Sequence, residues 1–380
     1  MMRIGIEAQR IFRLEKHGMD IVALELIRAL MNIDTENQYF VFVKPDRDRC
    51  LKSKANFQVV ELFGVSYVDW EQISLPKAVR KYKLDVLHCT SNTAPFFPGA
   101  PLILLLHDVI FLEKSPLIHS SLTFYQRLGY LYRKLNVPYA VRKSVKITTV
   151  SNYERDKIRG YFPEAREKLV TNYNAAGEHF YKIINERENL SVKETYNLPD
   201  EYFLFIANTD PKKNTKNTLL GYFEYLKINP EGYPIVLLDI KLDVVLGMVP
   251  ELKSVFDKLI IPGYINNKDL PLVYFCAKVF LYTSNRESFG IPLLEAMASG
   301  IPVVATKTSS LPEIAKDAAF FVDPEKPDEI ANAIARILSD EGLRQSMIQK
   351  GRERASEFSW VSTARYFLDI FTEVHYKKII

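Results

Sequence analysis

The sequence predicts an α/β protein built from two doubly wound parallel-sheet units. Three observations carry this expectation. Short apolar segments alternate with helical ones along nearly the whole chain, the rhythm of parallel strands joined by helical crossovers. The alternation runs twice, from Met1 to about Asn174 and again from about Tyr202, and the polar stretch His179 to Asp200, rich in Asn, Glu and Lys, separates the two series as a linker candidate. The length of 380 residues is large for one hydrophobic core, whereas two domains of about 150 to 200 residues are ordinary.

In the first series strands are expected over residues 3–7, 39–43, 57–61, 85–88, 102–106, 146–150 and 169–172, with helices over 19–31, 70–82, 122–143 and 152–160. Arg3 to Glu7 alternates from the start, and Ser151 is placed to cap the helix that follows Val150. In the second series strands are expected over 202–207, 234–238, 258–261, 278–282, 302–306 and 318–322. Two helices follow Pro327, and a last one is expected from about Ser359 to Tyr376.

Composition excludes several classes. With 47% hydrophobic and 25% charged residues this is an ordinary globular chain, and a net charge of +4 gives no argument for nucleic acid. Cys50, Cys89 and Cys276 form no CxxC pair and read as reduced thiols of a cytoplasmic protein, with no zinc site and no other metal expected. The first residues lack an apolar signal-peptide core. Apolar runs are short, Leu102 to Leu106 among the longest, far below the ~18 residues of a spanning helix.

The most informative stretch is Thr283 to Pro324. Val279 to Tyr282 is apolar and gives way to a polar turn with Glu287, then Phe289-Gly290-Ile291-Pro292 and Leu293 to Ala298, with Glu295 among them. This is a strand, a glycine turn and a helix: Pro292 suits the first helical turn, Gly300 the stop, and Pro302 the residue beyond. Two carboxylates therefore flank a helix start at a strand's carboxyl end, where open parallel sheets bind ligands and free N–H groups suit phosphate.

The run from Glu287 through seven intervening residues to Glu295, and on through Ala-Met-Ala-Ser-Gly-Ile-Pro-Val-Val-Ala, resembles the signature of retaining, nucleotide-sugar-dependent glycosyltransferases of family 4. The resemblance implies a GT-B fold: two Rossmann-like domains facing a central cleft, residues 1–180 for the acceptor, 181–358 for the donor, and 359–380 crossing back to the first domain. It implies donor contacts at Glu295 to the ribose hydroxyls, through the main chain near Phe289, Gly290 and Ile291, and at Glu287, which would orient the sugar. Asn208-Thr209-Asp210-Pro211-Lys212-Lys213-Asn214 is similar to the family's Gly-x-x-x-Pro-Arg-Lys-Asn segment, with Ala207 for Gly and Lys212 for Arg. There Lys213 would neutralise the leaving diphosphate. Two lysines at a helix start oppose the helix dipole, so an anionic ligand also makes local electrostatic sense.

In the first series His107-Asp108 follows an apolar strand and resembles the family's sugar-facing His-Asp pair, His107 donating a hydrogen bond to a sugar hydroxyl. Asp108 also fits a plain turn residue. The loop ending at Gly18 matches the family's glycine-rich loop in that one glycine, and equally fits a strand-to-helix loop whose glycine adopts an unusual backbone angle. Residues 124–146 hold six Lys or Arg, four Tyr and no acid. Such a helix suits the surface of an anionic bilayer at the inner face of the cell membrane, and equally a helix packed on the sheet with a solvated basic face. Ser310 to Glu313 reads as a capping box with a structural role.

The expected activity is transfer of a hexose, from GDP-mannose or a UDP-hexose, to a glycan or lipid-linked glycan in bacterial surface polysaccharide synthesis. Configuration would be retained, without metal or other cofactor. A nucleotide-sugar-binding protein without catalysis and a GT-B-fold epimerase are the alternatives.

Overall fold

The computed structural model describes residues 1–113, 124–182 and 186–377. The chain divides into two compact units, Met1–Asn174 with Ser359–Ile380, and Ala175–Phe358. All thirteen expected strands form, their bounds shifted by at most two residues.

In the first unit β1 (Arg3–Glu7), β2 (Gln38–Val43), β3 (Phe57–Glu61), β4 (Val86–Cys89), β5 (Leu102–Leu105), β6 (Lys146–Thr149) and β7 (Leu169–Thr171) make a sheet in the order β3-β2-β1-β4-β5-β6-β7. Every pairing is parallel. The chain starts at β1, winds to one edge, then returns to β4 and winds to the other. The winding direction thus reverses between β1 and β4, and the loops leaving their carboxyl ends open a crevice there. The central strands are covered on both faces, β4 and β5 being fully buried, whereas the edge strand β3 exposes Gln58 and Glu61.

The second unit repeats the plan with β8 (Tyr202–Ile206), β9 (Ile235–Leu238), β10 (Leu259–Ile260), β11 (Ala277–Tyr282), β12 (Val303–Thr306) and β13 (Phe320–Val322), in the order β10-β9-β8-β11-β12-β13. Its winding reverses between β8 and β11, which pair in parallel. Residues after Ile206 and after Tyr282 are thereby brought side by side.

Three expectations are corrected. The stretch 179–200 is no linker: Glu186–Tyr196 is a helix of the second unit, with Val192 buried and the Tyr196 hydroxyl donating to Asp269 Oδ2 at 2.8 Å. Ser191, Glu194 and Thr195 lie on its exposed side. The unit boundary accordingly falls after Asn174 rather than at 180, because Ala175 and Ala176 are buried and Phe180 packs edge-on against Tyr274, centroids 5.6 Å apart. The helix expected over 70–82 is broken into Tyr67–Asp69, a π-helical turn Trp70–Ser74, and Leu75–Lys81. Pro76 has no N–H to give, and the Leu75 amide reaches back five residues to the Trp70 carbonyl, which widens the turn.

The helix expected over 122–143 runs Phe124–Lys143; residues 122 and 123 lie outside the described residues. The final helix, Trp360–Lys377, packs on the helix Gly18–Ile33 of the first unit. It sets Phe367 and Phe371 against the His88 ring, at 4.6 and 5.9 Å, and Glu373 2.9 Å from Lys146. Burial pushes the His88 pKa down to about 3, so this histidine is a neutral core residue. Among the described residues no helix is long and apolar enough to cross a membrane.

Candidate active site

The second unit gathers most of the expected residues at its switch point. The turn Pro211–Lys213 follows β8, its start held by Asp210 Oδ1, which accepts from the Lys212 amide at 3.0 Å. The loop after β11 is zipped to this turn: the Asn285 amide donates to the Lys212 carbonyl at 2.7 Å and the Asn285 side chain to the Pro211 carbonyl at 3.3 Å. Lys213 and Glu287 consequently meet, Nζ to Oε1 2.6 Å, with side chains 14% and 13% exposed. The ammonium also sits over the Tyr282 ring, 5.3 Å from its centroid. Burial by itself pushes the Glu287 carboxyl up, but Lys213, helped by Ser284 and Lys212, outweighs it and holds Glu287 below the ordinary carboxylate value.

The Glu287 backbone is fastened as firmly. Its amide donates to Ser309 Oγ at 2.9 Å, and its carbonyl accepts from Ser310 Oγ at 3.0 Å and from Arg286 at 3.1 Å. Ser310 therefore corrects an expectation. It makes no side-chain cap bond to the helix Leu311–Ala315, and its hydroxyl reaches the carbonyls of Glu287 and Phe289 instead, the latter at 3.1 Å. Phe289 is buried, edge-on to Phe358, so its side chain is committed to the core of the unit. Gly290 has φ +100° immediately before Ile291, the first residue of the helix Ile291–Ala298. Glu295, half-buried one turn along, accepts a hydrogen bond from the buried Tyr274 hydroxyl at 3.1 Å. Burial and then the Glu295 charge drive the Tyr274 pKa well up, so this phenol stays a donor.

Lys212 and Asn208 are less committed to a ligand. Lys212 Nζ lies 3.4 Å from Asp210, and Asn208 closes its own turn by accepting from the Asp210 amide at 2.9 Å.

In the first unit His107 follows β5 and is 5% exposed. Its amide donates to Asn92 Oδ1 at 2.6 Å, and its Nε2 lies 2.9 Å from the Thr90 carbonyl. A carbonyl can only accept, so Nε2 carries the proton, and burial lowers the ring's pKa and keeps it neutral. The expected donation from His107 to a sugar hydroxyl is thus changed in sign: Nδ1, the nitrogen still unpartnered among the described residues, is an acceptor. Asp108 is a turn residue, accepting from the Ile110 amide at 3.1 Å. Gly18 begins the helix Gly18–Ile33 without a positive φ, and a Cβ there would meet nothing within 4 Å. An unusual backbone angle is therefore not its reason; the helix start is closed by a capping box in which the Asp20 carboxylate accepts from the His17 amide at 3.1 Å. Next to it Asp20 is ion-paired with Arg10 at 3.1 Å, and both charges act on His107.

A further cluster escaped sequence reasoning. Glu71, on the π-helical turn, is 1% exposed, yet its carboxylate accepts from Thr93 at 2.5 Å, Tyr67 at 3.0 Å, Gln72 at 3.0 Å and also Tyr132. Burial, opposed by these hydrogen bonds, pushes its pKa up to about 7. Pro76, a proline inside the expected helix, was the available signal that the helix is irregular near Glu71. Among the described residues no three His, Cys, Asp or Glu side chains are grouped to hold a metal ion.

Known proteins resemble this chain in sequence and in fold. Residues 186–354 match the family model described as glycosyl transferases group 1, and residues 17–176 that of glycosyltransferase family 4. The chain is 33% identical to O-antigen chain mannosyltransferase B of Escherichia coli over 237 residues, 62% of this chain and 61% of that one. It is 28% identical to the serotype-specific mannosyltransferase WbdA of Escherichia coli over 235 residues, 60% of this chain and 29% of that one. The matched region thus spans about three fifths of the first relative and under a third of the second. The crystal structure of HepE from Anabaena in complex with UDP and glucose superposes with a TM-score of 0.72 at 16% identity, covering 98% of this chain and 100% of that one, a likeness of fold. With one family model on each unit, two parallel-sheet Rossmann-like domains and this likeness, the chain belongs to the group 1, family 4 type of glycosyltransferases with the GT-B fold.

Proposed function

We propose that the protein is a retaining glycosyltransferase that moves a hexose from a nucleoside-diphosphate sugar to a hydroxyl of a glycan or lipid-linked glycan in bacterial surface polysaccharide synthesis. The observation that carries this is the Lys213–Glu287 pair at the switch point of the second sheet. A fixed cation there meets the charge that grows on a departing diphosphate, the electrostatic contribution that usually dominates such catalysis. The bond from the anomeric carbon to the diphosphate oxygen breaks, the acceptor oxygen bonds to that carbon, and the acceptor's proton passes to the departing diphosphate. Glu287 holds Lys213 in place and orients the sugar. Glu295, steadied by Tyr274, takes the ribose hydroxyls, and the main chain from Phe289 to Ile291 contacts phosphate or sugar oxygens. Lys212 and Asn208 complete the polar surroundings within the second unit; in the first unit the helix start at Gly18 and His107 are the groups assigned to substrate contact, His107 to the transferred sugar. No metal ion is required by this scheme, because Lys213 supplies the positive charge.

Two mannosyltransferase relatives support mannose as the first sugar to test, from GDP-mannose, and the UDP complex of a protein of the same fold supports UDP-hexoses beside it. The helix Phe124–Lys143 exposes Leu128, Leu131 and Leu135 along one side, at 50%, 53% and 65%, beside Arg127 and Lys134. That combination supports peripheral contact with an anionic membrane at its cytoplasmic face, where a lipid-linked acceptor would lie.

A panel of GDP-, UDP- and ADP-sugars, read for thermal stabilisation and for turnover, tests the proposal. Glu287→Ala should lower turnover on the order of 100-fold while free nucleoside diphosphate still stabilises the protein. Transfer at the wild-type rate by that variant, or stabilisation without any turnover by the wild type, refutes the reading.

A further inference from the structure

The Glu7 carboxylate lies at the carboxyl end of β1, is 1% exposed, and has no cation bonded to it among the described residues. It bridges two chain segments. Oε1 accepts from the Gln9 amide at 2.9 Å, and Oε2 accepts from the Thr90 amide at 3.1 Å and the Thr90 hydroxyl at 3.3 Å. The same hydroxyl donates to the Glu7 carbonyl at 2.8 Å. Thr90 is thus held by Glu7 at two atoms, its amide nitrogen and Oγ1, and its own carbonyl accepts the hydrogen bond from His107 Nε2 at 2.9 Å. Asn92, at φ +67°, holds the His107 amide from the same loop.

We infer that Glu7 is a positioning residue for His107: by clamping Thr90 it locks the imidazole as the Nε2–H tautomer and presents Nδ1 as a hydrogen-bond acceptor to a hydroxyl of the transferred sugar. The inference deepens the proposed function and rests on it for the identity of the hydroxyl, although the tautomer stands without it. Of the two neutral forms of imidazole, the hydrogen bond made by one nitrogen selects the role of the other. Here the selecting acceptor is a main-chain carbonyl, and a carbonyl is only as well aimed as its peptide. A carboxylate can serve the Gln9 and Thr90 amides together because both of its oxygens accept. A glutamine in its place has one accepting oxygen, and its NH2 faces the other amide.

The test uses the full chain with 15N-labelled histidine. Its six histidines are resolved by comparison with a His107→Ala sample, and ring nitrogens are read by long-range 1H–15N correlation at neutral pH. The wild type should show His107 with a protonated Nε2 and an unprotonated Nδ1. Glu7→Gln, and independently Thr90→Val should the first variant not fold, should lose that single pattern in favour of averaged ring nitrogens. In parallel, hydrolysis of GDP-mannose and UDP-glucose should show a fall in kcat with KM for the donor unchanged. A wild-type ring protonated at Nδ1, or folded variants that keep the single Nε2–H pattern, overturns the inference even if turnover is found. The expected spectra together with no turnover on any donor leave the inference standing and refute the proposed function instead.

Discussion

Glu71 offers a prediction whose size follows from its surroundings. It is buried with hydroxyl and amide donors but with no cation among its hydrogen-bond partners, and its pKa is raised from 4.5 to about 7, chiefly by burial. A carboxyl that binds its proton more tightly when folded stabilises the fold most below pH 4.5, where both states are protonated. That stability is lost as pH rises from 4.5 to 7, and nothing more is lost above. The difference of about 2.5 units corresponds to about 3.4 kcal/mol over the whole window, of which about 2.5 kcal/mol falls between pH 5 and pH 8. Glu71→Gln removes the titration and keeps the shape. Its amide group faces some of the same donors, at a cost that does not vary with pH, so the informative quantity is how the stability difference between variant and wild type changes with pH. Both tryptophans, Trp70 and Trp360, belong to the first unit, so urea unfolding followed by tryptophan fluorescence reports that unit. Relative to wild type, the variant should gain about 2.5 kcal/mol on going from pH 5 to pH 8. A change below about 0.5 kcal/mol, within the usual precision of such titrations, would refute a folded-state pKa near 7.

Two other substitutions test the donor-side scaffold. Gly290→Ala places a Cβ at φ +100° and 3.1 Å from Leu311 Cδ2, which should cost about 2 kcal/mol and lower the calorimetric transition of the second unit by about 4–8 °C; a shift below about 1 °C is incompatible with that strain. Tyr274→Phe deletes the donor to Glu295 and should weaken binding of free GDP or UDP roughly three- to tenfold by titration calorimetry, about 1 kcal/mol. Unchanged affinity would show that Tyr274 does not hold Glu295 for the ligand.

The sequence by itself determined what repeats or stays local. Thirteen strands were legible because most are short, largely apolar segments closed by polar turns, as strands of a covered parallel sheet are. Gly290 and Pro292 marked the helix start, and Lys213 marked a cation at the end of β8. The tertiary structure decided the partners. Lys213 and Glu287 are 74 residues apart, and Glu7 and Thr90 are 83 apart. They meet because β8 pairs with β11 and β1 with β4, a strand order that no local pattern encodes. Ser310 looked like a cap, since a cap is a local geometry, but a hydroxyl bonds to whichever acceptors the fold brings near, and here these were the carbonyls of Glu287 and Phe289. His107 shows the same limit. Its position after β5 was readable, whereas the nitrogen that carries its proton depends on one carbonyl supplied by a neighbouring strand's loop.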